Sequence, residues 1–180
     1  MKILYGVVGM GMGHAIRSSV IVDALLDRGH RVHLVASGGA VDFLRERFSD
    51  VTEIWGLSLV MEENEVKKRL TTAKNVTEAL GGLPKNAAKF LEMERDFDPD
   101  VAISDFESWS CIFAKLHGIP VVGLDNIQSI NRCRHEADIL EGYRDSFRMA
   151  KSIVKARCPG ANHYLVSTFA PMEVRKERTT

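Results

Sequence analysis

Lys2-Ile3-Leu4-Tyr5-Gly6-Val7-Val8-Gly9-Met10-Gly11-Met12-Gly13-His14-Ala15 opens the chain after its first methionine. The apolar run stops at glycines, and Ile16, Val20 and Ala24, with neighbouring Ile21 and Leu25, then recur at helical spacing until Gly29 closes the helix. Strand, glycine turn and helix in that order predict the first unit of an open parallel sheet, an α/β fold. Ligands of such sheets gather outside the carboxyl ends of the strands, where this turn sits. It offers flexible backbone, N–H groups at a helix N-terminus and the imidazole of His14.

The alternation continues down the chain. Residues 31–36 read as a second strand ending at Ser37-Gly38-Gly39, 41–48 as a short helix and 51–55 as a third strand. Residues 56–64 depart from the pattern, being largely apolar with no helical stripe. Val66, Leu70, Ala73, Val76 and Leu80 then predict a helix that Gly81-Gly82-Leu83-Pro84 ends. A separate helix follows over 85–97, broken at Asp98-Pro99-Asp100. Val101-Ala102-Ile103-Ser104 reads as a buried strand stopping at Asp105. Trp109, Ile112, Phe113 and Leu116 mark the next helix, which Gly118 and Pro120 terminate. Residues 121–124 form another buried strand, stopping at Asp125-Asn126. The stripe Ile139, Tyr143, Phe147, Ala150 and Val154 predicts a long helix over 136–157. It carries Glu136, Asp138 and Glu141 first and Lys151, Lys155 and Arg157 last, as the helix dipole favours. A last strand spans 163–167.

Composition narrows the class. At 180 residues one domain with one sizeable core is expected. Lys plus Arg and Asp plus Glu number 24 each, so nothing draws the chain globally to nucleic acid or to an anionic membrane. Cys111, Cys133 and Cys158 are odd in number and lack any C-x-x-C spacing. They suit neither a disulfide framework nor a zinc site, and no metal is expected. Entry into a strand at Lys2 argues against a signal peptide, and no apolar run reaches membrane-spanning length. A cytoplasmic protein is the expectation.

In a parallel sheet four polar strand ends converge on one edge: the glycine turn with His14, Ser37-Gly38-Gly39, Asp105, and Asp125-Asn126. A dinucleotide fingerprint would need glycine where His14 stands and an acid where the second strand ends in Ser37, which argues against a nicotinamide cofactor. A phosphate loop of the G-x-x-x-x-G-K-[ST] type is missing. His14 lies at a helix start, where the dipole favours a neutral ring suited to base catalysis. Its alternative is a capping or core histidine. Asp105 can hydrogen-bond that ring and hold its tautomer and can cap the following helix, with Glu107 in its first turn, and the two roles are not exclusive. Arg17 either reaches the same edge or points to solvent. No role follows for His30, His33, His117 or His163, and Lys85, Lys89, Glu92, Glu94 and Arg95 read as a solvated helix face.

Gly9-Met10-Gly11-Met12-Gly13-His14, Asp27-Arg28-Gly29-His30-Arg31-Val32, Ile103-Ser104-Asp105-Phe106 and Gly118-Ile119-Pro120-Val121-Val122, in this order and spacing, resemble the N-terminal half of GT-B glycosyltransferases. The likeness is to the branch that holds the peptidoglycan lipid-intermediate N-acetylglucosaminyltransferase and the UDP-dependent small-molecule glycosyltransferases. It implies a Rossmann-like open parallel sheet with helices on both faces over 1–171. Residues 172–180 would be a charged tail or the start of a linker to a C-terminal domain. The resemblance implies an acceptor-binding half of an inverting transferase that takes a nucleotide-sugar such as a UDP-sugar as co-substrate and needs no other cofactor. His14 would deprotonate the acceptor hydroxyl, Asp105 matches the acid paired with that histidine in the small-molecule branch, and Gly11, Met12, Gly13, Arg17, Asp125 and Asn126 would bind substrate. Residues 56–64 and the loop 125–134 would shape a pocket for a small-molecule or lipid-linked acceptor. Peripheral membrane contact, and burial of the open cleft face against a second copy, remain compatible with such a half. Alone it is expected not to turn over a nucleotide-sugar. The alternative is a non-catalytic Rossmann-like module that binds a phosphorylated ligand at the glycine turn.

Overall fold

The structure, a computed structural model, describes residues 1–56, 61–62, 65–66, 68–136, 138 and 140–180, with backbone alone over 61–80 and at 83. The chain begins β1 (Lys2–Val7), α1 (Met12–Asp27), β2 (Arg31–Ala36), α2 (Ala40–Arg45) and β3 (Val51–Glu53). A two-stranded antiparallel ribbon of β4 (Met61–Glu62) and β5 (Glu65–Val66) follows, then α3 (Lys68–Asp96). The second half runs β6 (Val101–Asp105), α4 (Ser108–Leu116), β7 (Val121–Asp125), α5 (Ser129–Arg132), α6 (Arg144–Arg157) and β8 (His163–Val166).

Six strands form one sheet in the order β3-β2-β1-β6-β7-β8, every pair parallel. This is the Rossmann-like open sheet that the glycine turn and the alternation predict. The strands are near-continuous apolar runs because helices cover both faces. Ile3, Tyr5 and Val7 of β1 pack with Ala15, Val22, Val41 and Leu44 on one face. Leu4, between them, joins Met93, Phe97, Trp109 and Phe113 on the other. The strand order reverses between β1 and β6, whose register sets Val7 beside Asp105. That reversal opens a crevice at the carboxyl edge of two adjacent central strands.

Three local expectations are corrected. The chain does not end a helix at Pro84: α3 is one helix of 29 residues with Pro84 inside it. Proline removes one backbone hydrogen bond, and anchoring just beyond it offsets the loss. Asn86 accepts from Trp55 N and donates to Trp55 O, both at 2.8 Å, while Trp109 Nε1 donates to Asn86 O at 3.1 Å. The helix expected over 136–157 starts only at Arg144, after Gly142 takes a positive φ of 80°. Glu136, Asp138 and Glu141 therefore precede it, and Asp145 is the acid of its first turn. Asp105 does not cap α4. Glu107 does, its carboxylate accepting from Trp109 N and Ser110 N. Segment 57–60, Ile139 and the side chains of Val66, Leu70, Ala73, Val76 and Leu80 lie outside the described residues.

Residues 173–175 bond to 132–134, and residues 178–180 lie parallel beside β8. Tyr164 N donates to Arg178 O and Val166 N to Thr180 O, both at 2.8 Å, and Thr180 N returns a bond to Tyr164 O. Arg132 clamps this segment, donating to Thr179 Oγ1 and Glu177 O with its guanidinium 3.8 Å from the centre of the Tyr164 ring. The tail thus satisfies backbone groups that β8 would otherwise expose.

A helix that continues through Pro84 makes a checkable statement. Pro84→Ala restores the missing backbone donor in mid-helix. It is expected to stabilise the chain in urea unfolding by up to about 3 kcal/mol. An unchanged or lowered midpoint would mean that the helix breaks there.

Candidate active site

The crevice is built from the ends of β1 and β6. Gly9 can leave β1 only as glycine, because a Cβ there would stand 2.0 Å from the carbonyl oxygen of Ser37. Its own N–H donates to Ser37 Oγ at 3.1 Å. Gly11, with φ of 78°, is the N-cap of α1 and turns the chain back across the sheet. Gly13 meets nothing within 4 Å of an added Cβ, so it faces open space. The first turn of α1 holds no acidic residue and its cap has no side-chain hydrogen bond, leaving its N–H groups directed at the crevice.

From this start, His14, Arg17 and Ser18 fall three and four residues apart and share one face of α1. All three converge on Asp105, which is fully buried. His14 Nδ1 lies 2.7 Å from Oδ1, Arg17 Nη2 bonds the same oxygen, Arg17 Nε reaches Oδ2 at 3.2 Å, and Ser18 Oγ donates to Oδ2 at 2.8 Å. A carboxylate only accepts, so His14 donates through Nδ1, and Nε2 is the ring nitrogen that Asp105 leaves free. The 3.1 Å approach of Arg17 Nη2 to His14 Nδ1 follows from two donors meeting at one oxygen. On its far side the Arg17 guanidinium reaches Asn126 Oδ1 at 3.4 Å and Ser167 Oγ at 3.5 Å.

A cleft of about 480 Å³ opens here, walled by His14, Arg17, Gly13, Asn126, Met10 and Phe169, among others. Gly13, Arg17 and Asn126 thus line it beside His14. Gly11 and Met12 are exposed, Met12 to 43%, and Asp125 is buried. Asp125 Oδ1 accepts from Gln128 N at 2.6 Å, while Oδ2 is buried without a partner among the described residues. Burial, reinforced by the nearby Asp105 charge, pushes its carboxyl up to about 6.

Three residues were not singled out by sequence. Ser18 was legible as the position four beyond His14 on a helix. Ser167 had no signal beyond lying at the end of the last strand. Phe106 has φ of 54°, uncommon for a bulky side chain, and follows Asp105 directly. Its ring stacks on His14 at 6.1 Å between centroids and lies under the Arg157 guanidinium at 5.2 Å. Beyond it is a second cavity of about 510 Å³, lined by Trp55, Phe90, Trp109, Ile112, Glu107 and Arg157 and others. Both tryptophans of the chain border it. Among the described residues no cluster of three or more His, Cys, Asp or Glu side chains is placed to hold a metal ion. No helix among them is long and apolar enough to cross a membrane.

The unpartnered Asp125 oxygen has a pH signature. A carboxyl raised on folding binds its proton more tightly in the native state, so its contribution is intact below the ordinary value near 4 and is lost as pH rises through about 6. Asp125→Asn keeps an acceptor for Gln128 N and removes the charge. Urea unfolding of both proteins between pH 4 and 8 should show the variant gaining on the parent, by on the order of 2 kcal/mol at neutral pH. Parallel stability curves would contradict this.

Comparisons with known proteins bear on the fold and the family. The family model described as Glycosyl transferase family 1 matches residues 1–180. An uncharacterized glycosyltransferase of Methanosarcina mazei is 29% identical over 124 residues, covering 67% of this chain and 31% of its own length. Among solved structures, MurG of Acinetobacter baumannii matches 96% of this chain and 44% of its own, at TM-score 0.53 and 15% identity. UGT2 of Phytolacca americana, complexed with UDP-2-fluoro-glucose and pterostilbene, matches 93% and 48%, at TM-score 0.56 and 16% identity. SsfS6 of Streptomyces sp. SF2575, a glycosyltransferase, matches 93% and 50%, at TM-score 0.55 and 16% identity. These likenesses show the GT-B fold of the N-terminal half, and the chain spans half or less of each of these proteins. The chain belongs to glycosyl transferase family 1.

Proposed function

We propose that this chain is the acceptor-binding half of an inverting glycosyltransferase, with His14 as the general base on the acceptor hydroxyl. The observation that carries the reading is His14 Nδ1 held 2.7 Å from Asp105 Oδ1 in the wall of a cleft, which leaves Nε2 as the ring nitrogen free of Asp105. The acceptor O–H gives its proton to Nε2 as its oxygen bonds the anomeric carbon. The bond from that carbon to the phosphate oxygen breaks, and the nucleoside diphosphate leaves with the electron pair. Asp105 fixes the tautomer and faces the imidazolium that forms. Arg17 and Ser18 hold Asp105 in place. Gly11, Gly13 and the first N–H groups of α1 suit the diphosphate, and Asn126 suits a polar group of substrate. No other cofactor enters this reaction.

The donor would come from a second domain. Met12, Ile16 and Val20 form one outward ridge of α1, exposed to 43, 53 and 65%, and Phe169 at the cleft stands wholly exposed. An apolar ridge beside a catalytic cleft suits a covering surface, whether a donor-binding domain or a second copy of this chain. The acceptor's apolar part fits the aromatic cavity behind Phe106, whether that acceptor is free or lipid-linked at a membrane surface. Thiols buried and unpaired suit the cytoplasm.

Two measurements test this reading. The chain alone should transfer no sugar from UDP-sugars. Joined to the second half of the Methanosarcina relative, it should do so with any accepted hydroxyl compound. His14→Ala should then lower kcat on the order of 10²–10⁴-fold with KM little changed, and Asp105→Asn should lower it by more than about tenfold. Full activity in His14→Ala would exclude the base assignment. Ligand binding with no transfer in any combination would leave a phosphate-binding module. Separately, an apolar acceptor in the second cavity should quench the fluorescence of Trp55 and Trp109, and Phe90→Ala should weaken that binding.

A further inference from the structure

Away from the cleft, the chain brings two of its three cysteines together. Cys111 lies midway along α4, Cys158 follows the last residue of α6, and their sulfurs are 2.9 Å apart although 47 residues separate them. Both are buried in the same core as Trp109, Phe113, Ala161 and Tyr164. The turn carrying Cys158 is held from two sides. Tyr164 Oη donates to Cys158 O at 2.6 Å and accepts from Ala161 N at 3.1 Å, and Lys115 of α4 bonds Pro159 O. This anchoring keeps the second sulfur against α4. Cys133, although buried, has no sulfur partner among the described residues.

The two thiols are not equivalent. The Cys158 S–H donates to Cys111, and with the charge of Lys115 this holds the Cys111 thiol below its ordinary range. Cys158, donating and buried, is pushed up and stays protonated. One sulfur is thus disposed to attack and its neighbour to resolve.

We propose that Cys111 and Cys158 form a peroxide-oxidised disulfide that ties α4 to the end of α6. The Cys111 thiolate attacks hydrogen peroxide, giving a sulfenic acid and releasing hydroxide, which takes up a proton to become water. The Cys158 sulfur then displaces the sulfenic hydroxyl as its own proton leaves, forming the S–S bond and a second water. In balance, two thiols and one peroxide give one disulfide and two waters. The consequence falls on the aromatic cavity: Ile112 and Arg157, chain neighbours of the two cysteines, both line it. Oxidation would fix two of its walls relative to each other, independently of whether the chain takes part in sugar transfer.

The experiment treats the full native chain with hydrogen peroxide, removes the oxidant with catalase, then alkylates in urea and maps the peptides by mass. The expected result is a single alkylated cysteine, Cys133. The peptides holding Cys111 and Cys158 should be linked with loss of two hydrogen atoms, and dithiothreitol should restore all three thiols. Three alkylated thiols, a link through Cys133, or sulfinic acid without a link would each overturn the proposal, as would a disulfide formed only when peroxide is added in urea. Cys158→Ser should leave a sulfenic acid on Cys111 that dimedone traps. Should that variant not fold, the wild-type map decides alone. Dimedone labelling of Cys158 in Cys111→Ser, at the rate seen for Cys111, would overturn the assignment of roles.

Discussion

A single buried carboxylate sets the geometry of the carboxyl edge. The Asp105 carboxylate has no exposure to water, and taking such a group out of solvent costs several kcal/mol unless donors replace its hydration. Among the described residues its side-chain donors all come from α1, through His14, Arg17 and Ser18. The face that α1 turns inward is otherwise small, with Ala15, Ser18, Ser19 and Val22 buried. Small residues let the helix approach the sheet closely but specify its rotation weakly. The polar contacts supply that specificity, because turning α1 by one residue would strip Asp105 of donors. The register that sets Val7 beside Asp105 is the other half of the constraint, since both the turn and the acid start from that pair.

Residues 105–107 show how one constraint generates the next. Asp105 points to α1, while Glu107 must fold back to cap α4 through two backbone N–H groups. Burial raises the Glu107 carboxyl, and those same backbone donors oppose the rise. Phe106, caught between two carboxylates aimed apart, takes a left-handed backbone, a conformation costing on the order of 1–3 kcal/mol that persists where surroundings fix it. Its ring lies between His14, which lines the cleft, and Arg157, which lines the aromatic cavity.

The parts of this fold legible in sequence are those that repeat a simple rule. Near-continuous apolar strands separated by helices gave the parallel sheet, and the parallel sheet brought strand ends remote in sequence to one edge. The meeting of His14 with Asp105 followed from that, although the choice between capping and pairing did not. What escaped depended on tertiary anchors. Pro84 reads as a helix stop because its local chemistry is a stop, and only Asn86 bridging to Trp55 keeps α3 running past it. Gly142 delays α6 although the apolar stripe continues through it. By sequence, solvent is the safer placement for Arg17, since a helix surface gives no sign of which acid lies across the crevice. The charged C-terminal stretch looked like a tail because its bonds to β8 are backbone bonds, which side chains do not announce.

Sharing Asp105 between His14 and Arg17 bears on what the acid can do. A carboxylate facing only an imidazole acts by orientation and by charge, stabilising the cation that forms when the ring takes a proton. Here the guanidinium already neutralises much of that charge at the same oxygen, and it remains a cation throughout. An imidazolium arising at Nδ1–H would stand beside a second positive group. In the proposed transfer, then, the acid's main contribution is geometric, fixing the tautomer and aiming Nε2 into the cleft. Charge stabilisation of the developing ion pair would fall to the departing diphosphate and the N-terminus of α1. The arginine, pinned by Asp105 and turned toward Asn126 and Ser167, presents its remaining edge where such an anion would lie. One network thereby orients His14 and keeps a cation at the mouth of the same cleft.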